Sequence, residues 1–227
     1  GGLLSALFSL IPAMLLISVG YEPVRAQIFT YLFFALTLYI LECARKEEEW
    51  SLLWWLLPIQ ILWCNLHGGF VAGLGLIVLY ILGDGLSGKK VTPLIAILLP
   101  AVLVTLINPY GFAYWEYMAG AITMPRPEID EWLSVIAALR HHVQDVPILI
   151  FLFLALLFLL LLLLQRERNL TDFLVVVVTI YLGGSHIRHT TFFGLILGSY
   201  LPVVLSRYWK SWQVRGFWIT RRFWRPQ

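Results

Sequence analysis

The chain has 227 residues, of which 60% are hydrophobic and 13% charged, with a mean hydropathy of +0.83 and a formal net charge of +3. A soluble domain of this length has too little interior to bury so many apolar side chains, so the composition excludes an ordinary soluble fold. Several apolar runs reach the roughly 18–20 residues that a helix needs to cross a bilayer. Because no period-two alternation accompanies them, the sequence predicts an all-α, polytopic transmembrane helical bundle.

Eight apolar segments are predicted to be membrane-spanning helices, within a range of six to eight. They are residues 3–20, 28–43, 50–66, 70–83, 92–107, 147–164, 172–184 and 191–206. Together they make residues 1–206 one transmembrane domain. Within these spans the charged side chains are Glu42 and Asp172, both at span ends, so no such group is expected near the midplane, which argues against a transporter or a proton pump.

The distribution of basic residues predicts the orientation of the bundle. If the spans alternate, twelve of the sixteen Lys and Arg residues fall on one side, in residues 44–49, 84–91, 165–171 and the tail 207–227. The positive-inside rule assigns that side to the cytoplasm. The tail mixes basic residues with Trp, so we expect it to lie at the cytoplasmic interface and to bind membrane lipids rather than nucleic acid. The chain is thus predicted to be an integral membrane protein with a cytoplasmic C-terminus.

The only long loop, residues 108–146, is predicted to face outward. Its first residues, "NPYG" (108–111), fit a type I turn. Further on, "IDEWLSVIAALRHH" (129–142) predicts an amphipathic helix at the membrane interface, with Asp130 or Glu128 near its N-terminus. The apolar face of that helix has the spacing i, i+3, i+4, i+7 at Trp132, Val135, Ile136 and Leu139.

Two outward turns combine Gly with His inside apolar sequence. Residues 50–83 hold no charge, and one helix of that length would be about 50 Å long, well beyond the roughly 30 Å hydrocarbon core. The segment must therefore break at "NLHGG" (65–69). The stretch "YLGGSHIRHTTFFG" (181–194) repeats this composition, with Thr190 and Thr191 as candidate caps of the next helix.

Each of these turns has two interpretations. Both can be plain hairpins, whose polar residues satisfy the backbone where the chain reverses. Arg and His beside a helix N-terminus also bind phosphate well. The candidate lipid-phosphate-binding residues, all on the predicted outer side, are Arg25, His67, Arg188 and His189.

The remaining histidine and glycine patterns are less specific. His186 and His189 are three residues apart and His141 and His142 are adjacent, but neither pair has the Cys or carboxylate spacing of a closed metal site, so no metal site is predicted. Two GxxxG motifs, at residues 69–73 and 194–198, predict close packing of helices.

Five segments, taken in order, carry a family resemblance: residues 24–42, 62–76, 106–117, 128–132 and 187–204. They resemble the C-terminal half of bacterial multispan proteins related to the GT-C glycosyltransferases, akin to protein mannosyltransferases. The resemblance implies sugar transfer at the outer face of the bacterial plasma membrane, with a polyprenyl-phosphate sugar as donor substrate. It also implies that the chain, which opens with "GGLLSALF", is the C-terminal part of a longer enzyme, because the family's catalytic carboxylate lies in the N-terminal half.

The clustered outward carboxylates of this chain are Glu128, Asp130 and Glu131, which makes them the candidate catalytic residues, with helix capping as the simpler role. Two other functions remain open. The chain can be a non-catalytic subunit that binds other membrane subunits through its small-residue helix faces and its tail. It can also be a subunit whose histidines ligate a cofactor.

Overall fold

The computed structural model of the protein describes residues 2–18, 25–124, 126, 128–143, 145–165 and 168–223. Over these residues it is all-α, with no strand, as the sequence predicts. The α-helices are α1 (Gly2–Ser18), α2 (Gln27–Glu47), α3 (Leu56–Leu66), α4 (Phe70–Leu86), α5 (Thr92–Leu103), α6 (Ala113–Thr123), α7 (Val135–Arg140), α8 (Asp145–Leu163), α9 (Leu170–Ser185) and α10 (Thr190–Phe223). Short 3-10 turns occupy Trp50–Trp55, Val104–Leu106, Asp130–Trp132 and Ile187–His189.

Each of the eight predicted spans coincides with a helix in the described part of the chain. The spans correspond to α1, α2, α3 with the turn before it, α4, α5 with the turn after it, α8, α9 and α10. Three stretches are long and apolar enough to cross a membrane: Gln27–Glu47, Val146–Leu163 and Ile187–Trp209. The other five are shorter apolar helices. Since α10 runs unbroken to Phe223, the predicted tail 207–227 begins inside a helix; its side chains beyond Trp209, and residues 224–227, lie outside the described part.

Small residues let the helices of the bundle approach closely, which confirms the packing predicted from the GxxxG motifs. A Cβ atom added at Gly194 would lie 3.0 Å from the Cβ of Leu16, and one at Gly198 would lie 3.1 Å from the Cβ of Ala13. These two glycines therefore seat α10 against α1. Gly73 does the same for α4, because a Cβ atom there would lie 2.6 Å from the Trp63 ring.

Arg45 joins α2, α4 and α9 at one end of the bundle. Its Nη2 lies 2.6 Å from Glu42 Oε1 and 3.1 Å from Asp172 Oδ1, and its Nη1 lies 3.4 Å from Asp84 Oδ1. Asp84 is 1% exposed, and its Oδ1 also accepts a hydrogen bond of 2.6 Å from Thr171 Oγ1. We call Glu42, Arg45, Asp84 and Asp172 the buried ion network.

The buried ion network corrects one sequence prediction. The predicted span 70–83 excludes Asp84, yet α4 continues past it, and both Asp84 and Asp172, at the start of α9, are buried. A carboxylate can be buried in an apolar bundle only if a cation lies beside it. Arg45 provides that cation because α2 continues to Glu47, beyond the predicted end of its span.

A pair of buried tyrosines extends the network to α10. Tyr80 Oη donates a hydrogen bond of 2.6 Å to Glu42 Oε1 and lies 2.9 Å from Tyr200 Oη. The guanidinium of Arg45 lies 5.0 Å from the centre of the Tyr80 ring, within cation–π range. Four helices therefore meet around one guanidinium.

The long loop of residues 108–146 confirms one prediction and corrects another. The predicted turn at residues 108–111 is present, with a hydrogen bond of 3.2 Å from Gly111 N to Asn108 O and a positive φ of 52° at Gly111. The predicted amphipathic helix is wrong in its extent: α7 begins only at Val135, and its N-cap is Ser134, whose Oγ accepts from Ala137 N, rather than Asp130 or Glu128. Nor does Ile136 join a buried face, since it is 65% exposed.

The reason for the late start of α7 is a tertiary hydrogen bond. The backbone at Leu133 is extended, with ψ of 144°, and its carbonyl accepts a hydrogen bond of 3.0 Å from Ile187 N. Because the backbone at Leu133 is extended, its carbonyl is directed at the turn between α9 and α10 and not along the axis of a helix. The helical pattern of residues 129–142 is therefore interrupted at this point.

The close contact of α4 and α9 predicts a position-specific effect of adding one methyl group. A Cβ atom at Gly83 would collide with the Thr171 backbone and lie 2.6 Å from its Oγ1, whereas one at Gly75 meets nothing within 4 Å. We expect Gly83→Ala to lower the free energy of unfolding by about 1–3 kcal/mol through overpacking. Gly75→Ala should raise it, by up to about 1 kcal/mol, through helix propensity. Denaturant unfolding in detergent micelles measures both; equal effects would contradict the packing described.

A second prediction concerns Arg45. Its side chain is 11% exposed, so Arg45→Met leaves three carboxylates without their shared cation and should cost about 3–5 kcal/mol of the free energy of unfolding. Lys46→Met is the matched control, because Lys46 pairs with the same Glu42 but is 59% exposed, and it should cost less than about 1 kcal/mol. The same unfolding measurement applies. Similar losses for the two variants would show that Arg45 does not hold the helices together.

Candidate functional site

The other end of the bundle brings together polar side chains from four separate segments. They come from the start of α2 and the residues just before it, the turn between α3 and α4, the segment from Arg126 to the 3-10 turn at Asp130–Trp132, and the turn between α9 and α10. We call this group the arginine–histidine cluster; its members are Arg25, Gln27, His67, Arg126, Glu131, Trp132, His186, Arg188 and His189. All four residues predicted to bind a lipid phosphate belong to it.

Glu131 lies between two of the predicted arginines. Its Oε1 is 2.6 Å from Arg25 Nη1 and 3.5 Å from Arg188 Nη1. The other two predicted catalytic carboxylates, Glu128 and Asp130, are exposed, and neither takes part in an ion pair within the described part of the chain. Of the three candidates, the structure therefore places Glu131 alone at the cluster.

Arg188 is fixed by a ring of hydrogen bonds to α2. Its Nη2 donates to Gln27 Oε1 at 2.5 Å, Gln27 Nε2 donates to Tyr31 Oη at 2.5 Å, and Tyr31 Oη donates to the carbonyl of Arg188 at 3.4 Å. Sequence reasoning missed Gln27 and Tyr31. Their signal was a polar face on an otherwise apolar helix, since Gln27, Thr30 and Tyr31 follow the spacing i, i+3, i+4.

Two guanidiniums pack against the ring of Trp132. The Cζ of Arg126 lies 4.0 Å from the ring centre and that of Arg188 lies 4.6 Å from it, both within cation–π range. The His186 ring meets the same indole edge-on, with centroids 5.3 Å apart, and His189 lies 5.3 Å from His186. Trp132 thus belongs to the cluster instead of forming the start of an amphipathic helix.

His67 completes the hydrogen bonding of its own turn. Its Nδ1 accepts from Gly69 N at 3.0 Å and lies 2.7 Å from Thr30 Oγ1, which in turn accepts from Trp63 Nε1 at 2.9 Å. Because Nδ1 accepts a backbone N–H, the neutral ring carries its proton on Nε2. This places a potential N–H donor beside α2 while the rest of the ring stabilises the turn.

The predicted caps of α10 are not formed. The Thr190 hydroxyl and His189 Nδ1 are buried and have no hydrogen-bond partner among the described residues, while the buried Thr191 hydroxyl lies beside Tyr31. Buried polar atoms normally have partners. The interior of the bundle beside the cluster therefore retains unused hydrogen-bonding capacity.

The charge of the cluster resides on its arginines. Burial lowers the pKa of His186, and the neighbouring Arg188 and Arg126 lower it further. Burial and Arg188 likewise lower the pKa of His67. Since these rings are neutral near pH 7, three guanidiniums face one carboxylate. The cluster carries two positive charges in excess, which favours an anionic ligand.

The described residues contain no group of three or more His, Cys, Asp or Glu side chains able to hold a metal ion. His141 and His142 follow the end of α7, where His142 has a positive φ of 55°. They belong to a different segment from the histidines that pack on Trp132.

No family model, no curated protein and no solved structure matches the chain. The class of protein is therefore judged from the fold and the site of this chain alone. Over its described residues the chain is all-α, with three helices long and apolar enough to cross a membrane and with a cationic, aromatic cluster at one end of the bundle.

The lowered histidine pKa values predict a loss of stability at acid pH. The unfolded chain takes up protons at its histidines near pH 6.5, before the folded chain does, so stability is complete above that pH and falls as the pH drops below it. The unfolding midpoint should be lower at pH 5.5 than at pH 7.5. Replacing both His67 and His186 with Gln should reduce this difference, whatever the absolute stability of the variant. An unchanged pH difference would contradict the assignment.

Proposed function

We propose that the chain is an integral membrane protein whose outward end binds the phosphate of a polyprenyl-phosphate-linked sugar. In this proposal it is a GT-C-type membrane glycosyltransferase, or the C-terminal part of one. The observation that carries the proposal is the convergence of Arg25, Arg126 and Arg188, which face only one carboxylate, Glu131, among the described residues.

A phosphate group suits these arginines, because their excess positive charge favours an anion over a neutral sugar. The planar guanidinium presents paired N–H donors that match phosphate oxygens. Arg25 is half exposed, so a ligand can reach it. Arg188 is fixed by its hydrogen bond to Gln27 and its ion pair with Glu131. The pairing with Glu131 fixes both guanidiniums before a ligand arrives.

The surface beside Arg25 supports a lipid carrier rather than a free phosphate. On the same helix, Ile28 and Leu32 are 44% and 52% exposed. An isoprenoid chain lying along α2 would cover these side chains while its phosphate sits at Arg25. Burial of apolar area and the charge of the phosphate would then act on one ligand.

Glu131 is assigned a positioning role. Both of its ion pairs use Oε1, so it serves to hold Arg25 and Arg188 at a fixed separation. In the reaction that the family resemblance implies, an acceptor hydroxyl attacks the anomeric carbon and the bond to the phosphate breaks. The departing phosphate keeps the electron pair, and the arginines would stabilise its charge. The base that accepts the hydroxyl proton belongs, by the same resemblance, to the N-terminal half of the family.

The proposal also includes an orientation of the chain in the membrane. Eight apolar helices crossing alternately would place the cluster outside and the C-terminus in the cytoplasm, and the bacterial plasma membrane is the compartment that the resemblance implies. The alternative function, a non-catalytic subunit, relied partly on small-residue helix faces that would bind other subunits. Gly73, Gly194 and Gly198 instead make helix contacts within this chain.

The proposal is tested by binding of polyprenyl phosphate to the purified chain in detergent micelles. Polyprenol of the same length is the control ligand, because it lacks only the phosphate. We expect the phosphate to improve affinity at least about tenfold, and Arg188→Ala to lower affinity about 10- to 100-fold, as removal of a charge-assisted hydrogen bond does. Arg140→Ala, at an exposed arginine of α7, should bind as the unaltered chain does.

A further variant separates binding from folding. Arg188→Lys keeps the charge but loses the paired donors, so its affinity should lie between those of the unaltered chain and Arg188→Ala. Each variant's unfolding midpoint is measured alongside. Equal affinities for polyprenyl phosphate and polyprenol, or full binding by a folded Arg188→Ala chain, would refute the proposed site.

A further inference from the structure

A cavity of about 290 Å³ lies at the end of the bundle that is opposite to the arginine–histidine cluster. Along α2, the two sites are separated by the fifteen residues between Gln27 and Glu42, which is about 22 Å of helix. The cavity opens beside the buried ion network. Its lining comes from α2, the segment after α4, the start of α9 and the middle of α10: Glu42, Arg45, Lys46, Lys89, Asn169, Asp172, Tyr200, Val203, Val204 and Arg207.

The basic residues around this cavity outnumber the acids that neutralise them. Arg45 is matched by the carboxylates of the buried ion network, Lys46 lies 2.7 Å from Glu42 Oε2, and Lys89 lies 3.2 Å from Asp84 Oδ1. Arg207 differs, because its hydrogen bond of 3.1 Å goes to the neutral Gln165, and no carboxylate of the described residues lies within ion-pair distance of it; Asp172 attracts it only over a longer distance. The group therefore has one positive charge in excess, and that charge is located at Arg207.

The arrangement of the lining is amphipathic. Arg207 lies one turn of α10 beyond Val203 and Val204, which give one wall of the cavity an apolar surface. Lys46 and Lys89 are 59% and 48% exposed, so their ammonium groups can move between their present carboxylates and a new anion. A ligand that fits this wall has an anionic head and an apolar body.

We propose that this cavity binds the phosphate of an anionic phospholipid headgroup from the leaflet on this side of the bundle. The phosphodiester would lie among Arg207, Lys46 and Lys89, and an acyl chain would follow Val203 along α10. Basic pockets between membrane helices on the cytoplasmic side are suited to such headgroups. The inference is independent of the function proposed for the other end, since it uses different residues.

The test compares lipids around the purified full chain. The protein is placed in nanodiscs of phosphatidylcholine alone or of phosphatidylcholine with phosphatidylglycerol, and retained lipid is counted by native mass spectrometry. We expect phosphatidylglycerol to be retained at least about tenfold over phosphatidylcholine, which corresponds to about 1.4 kcal/mol. Arg207→Gln should reduce this preference to near unity, while Arg207→Lys should keep most of it.

Gln165→Ala is the matched control. It removes the same hydrogen bond as Arg207→Gln but leaves the charge, so it should retain the preference for phosphatidylglycerol. A third arm adds inorganic phosphate at the concentration of the anionic lipid, and we expect no displacement. Equal retention of the two lipids, an unaltered preference in Arg207→Gln, or the same loss in Gln165→Ala would overturn the proposal. Displacement by inorganic phosphate would identify a soluble anion as the ligand and would equally overturn it.

Discussion

The neutralisation of Arg45 is the constraint from which the rest of this structure follows. A charge inside an apolar bundle costs several kcal/mol unless partners surround it. Arg45 meets this condition with carboxylates from three helices, namely Glu42 of α2, Asp84 of α4 and Asp172 of α9. The fork of a guanidinium reaches only a few ångströms. These three helices must therefore end or begin at the same level of the bundle.

This shared level determines what meets at the opposite end. With α2, α4 and α9 in register at Arg45, the first turn of α2 lies beside the turn that follows α9, and Gln27 can reach Arg188 across 161 residues of sequence. The two ends of the bundle also differ in net charge, because the carboxylates are distributed unequally between them. Three carboxylates are used around Arg45, while one, Glu131, serves the arginines of the cluster. The end that holds the arginine–histidine cluster is left with an excess of positive charge because most of the buried acids lie at the other end.

Much of the fold was predictable because its causes are local. Apolar runs define helices wherever they occur, the "NPYG" turn follows from Asn, Pro and Gly at fixed places, and the reversal of direction between successive helices brings Arg25 and Arg188 to one end. Other features were not predictable because distant residues cause them. The sequence predicts Arg45 to lie in a charged loop. Its burial within α2 depends on its contacts with Asp84 and Asp172, which are 39 and 127 residues away. The break before α7 likewise depends on a bond from Ile187 to Leu133.

The polar residues within the apolar sequence also divide by physical role. His67 accepts bonds from Gly69 and Thr30 as a neutral ring, so it holds the turn between α3 and α4 and contributes no charge near pH 7. Arg25 and Arg188 supply positive charge, and their positions are already fixed by Glu131 and Gln27. Recognition of an anion at this end would therefore rest on the arginines. The histidines would determine how far the turns around them survive as the pH falls, because their protonation opposes the folded arrangement.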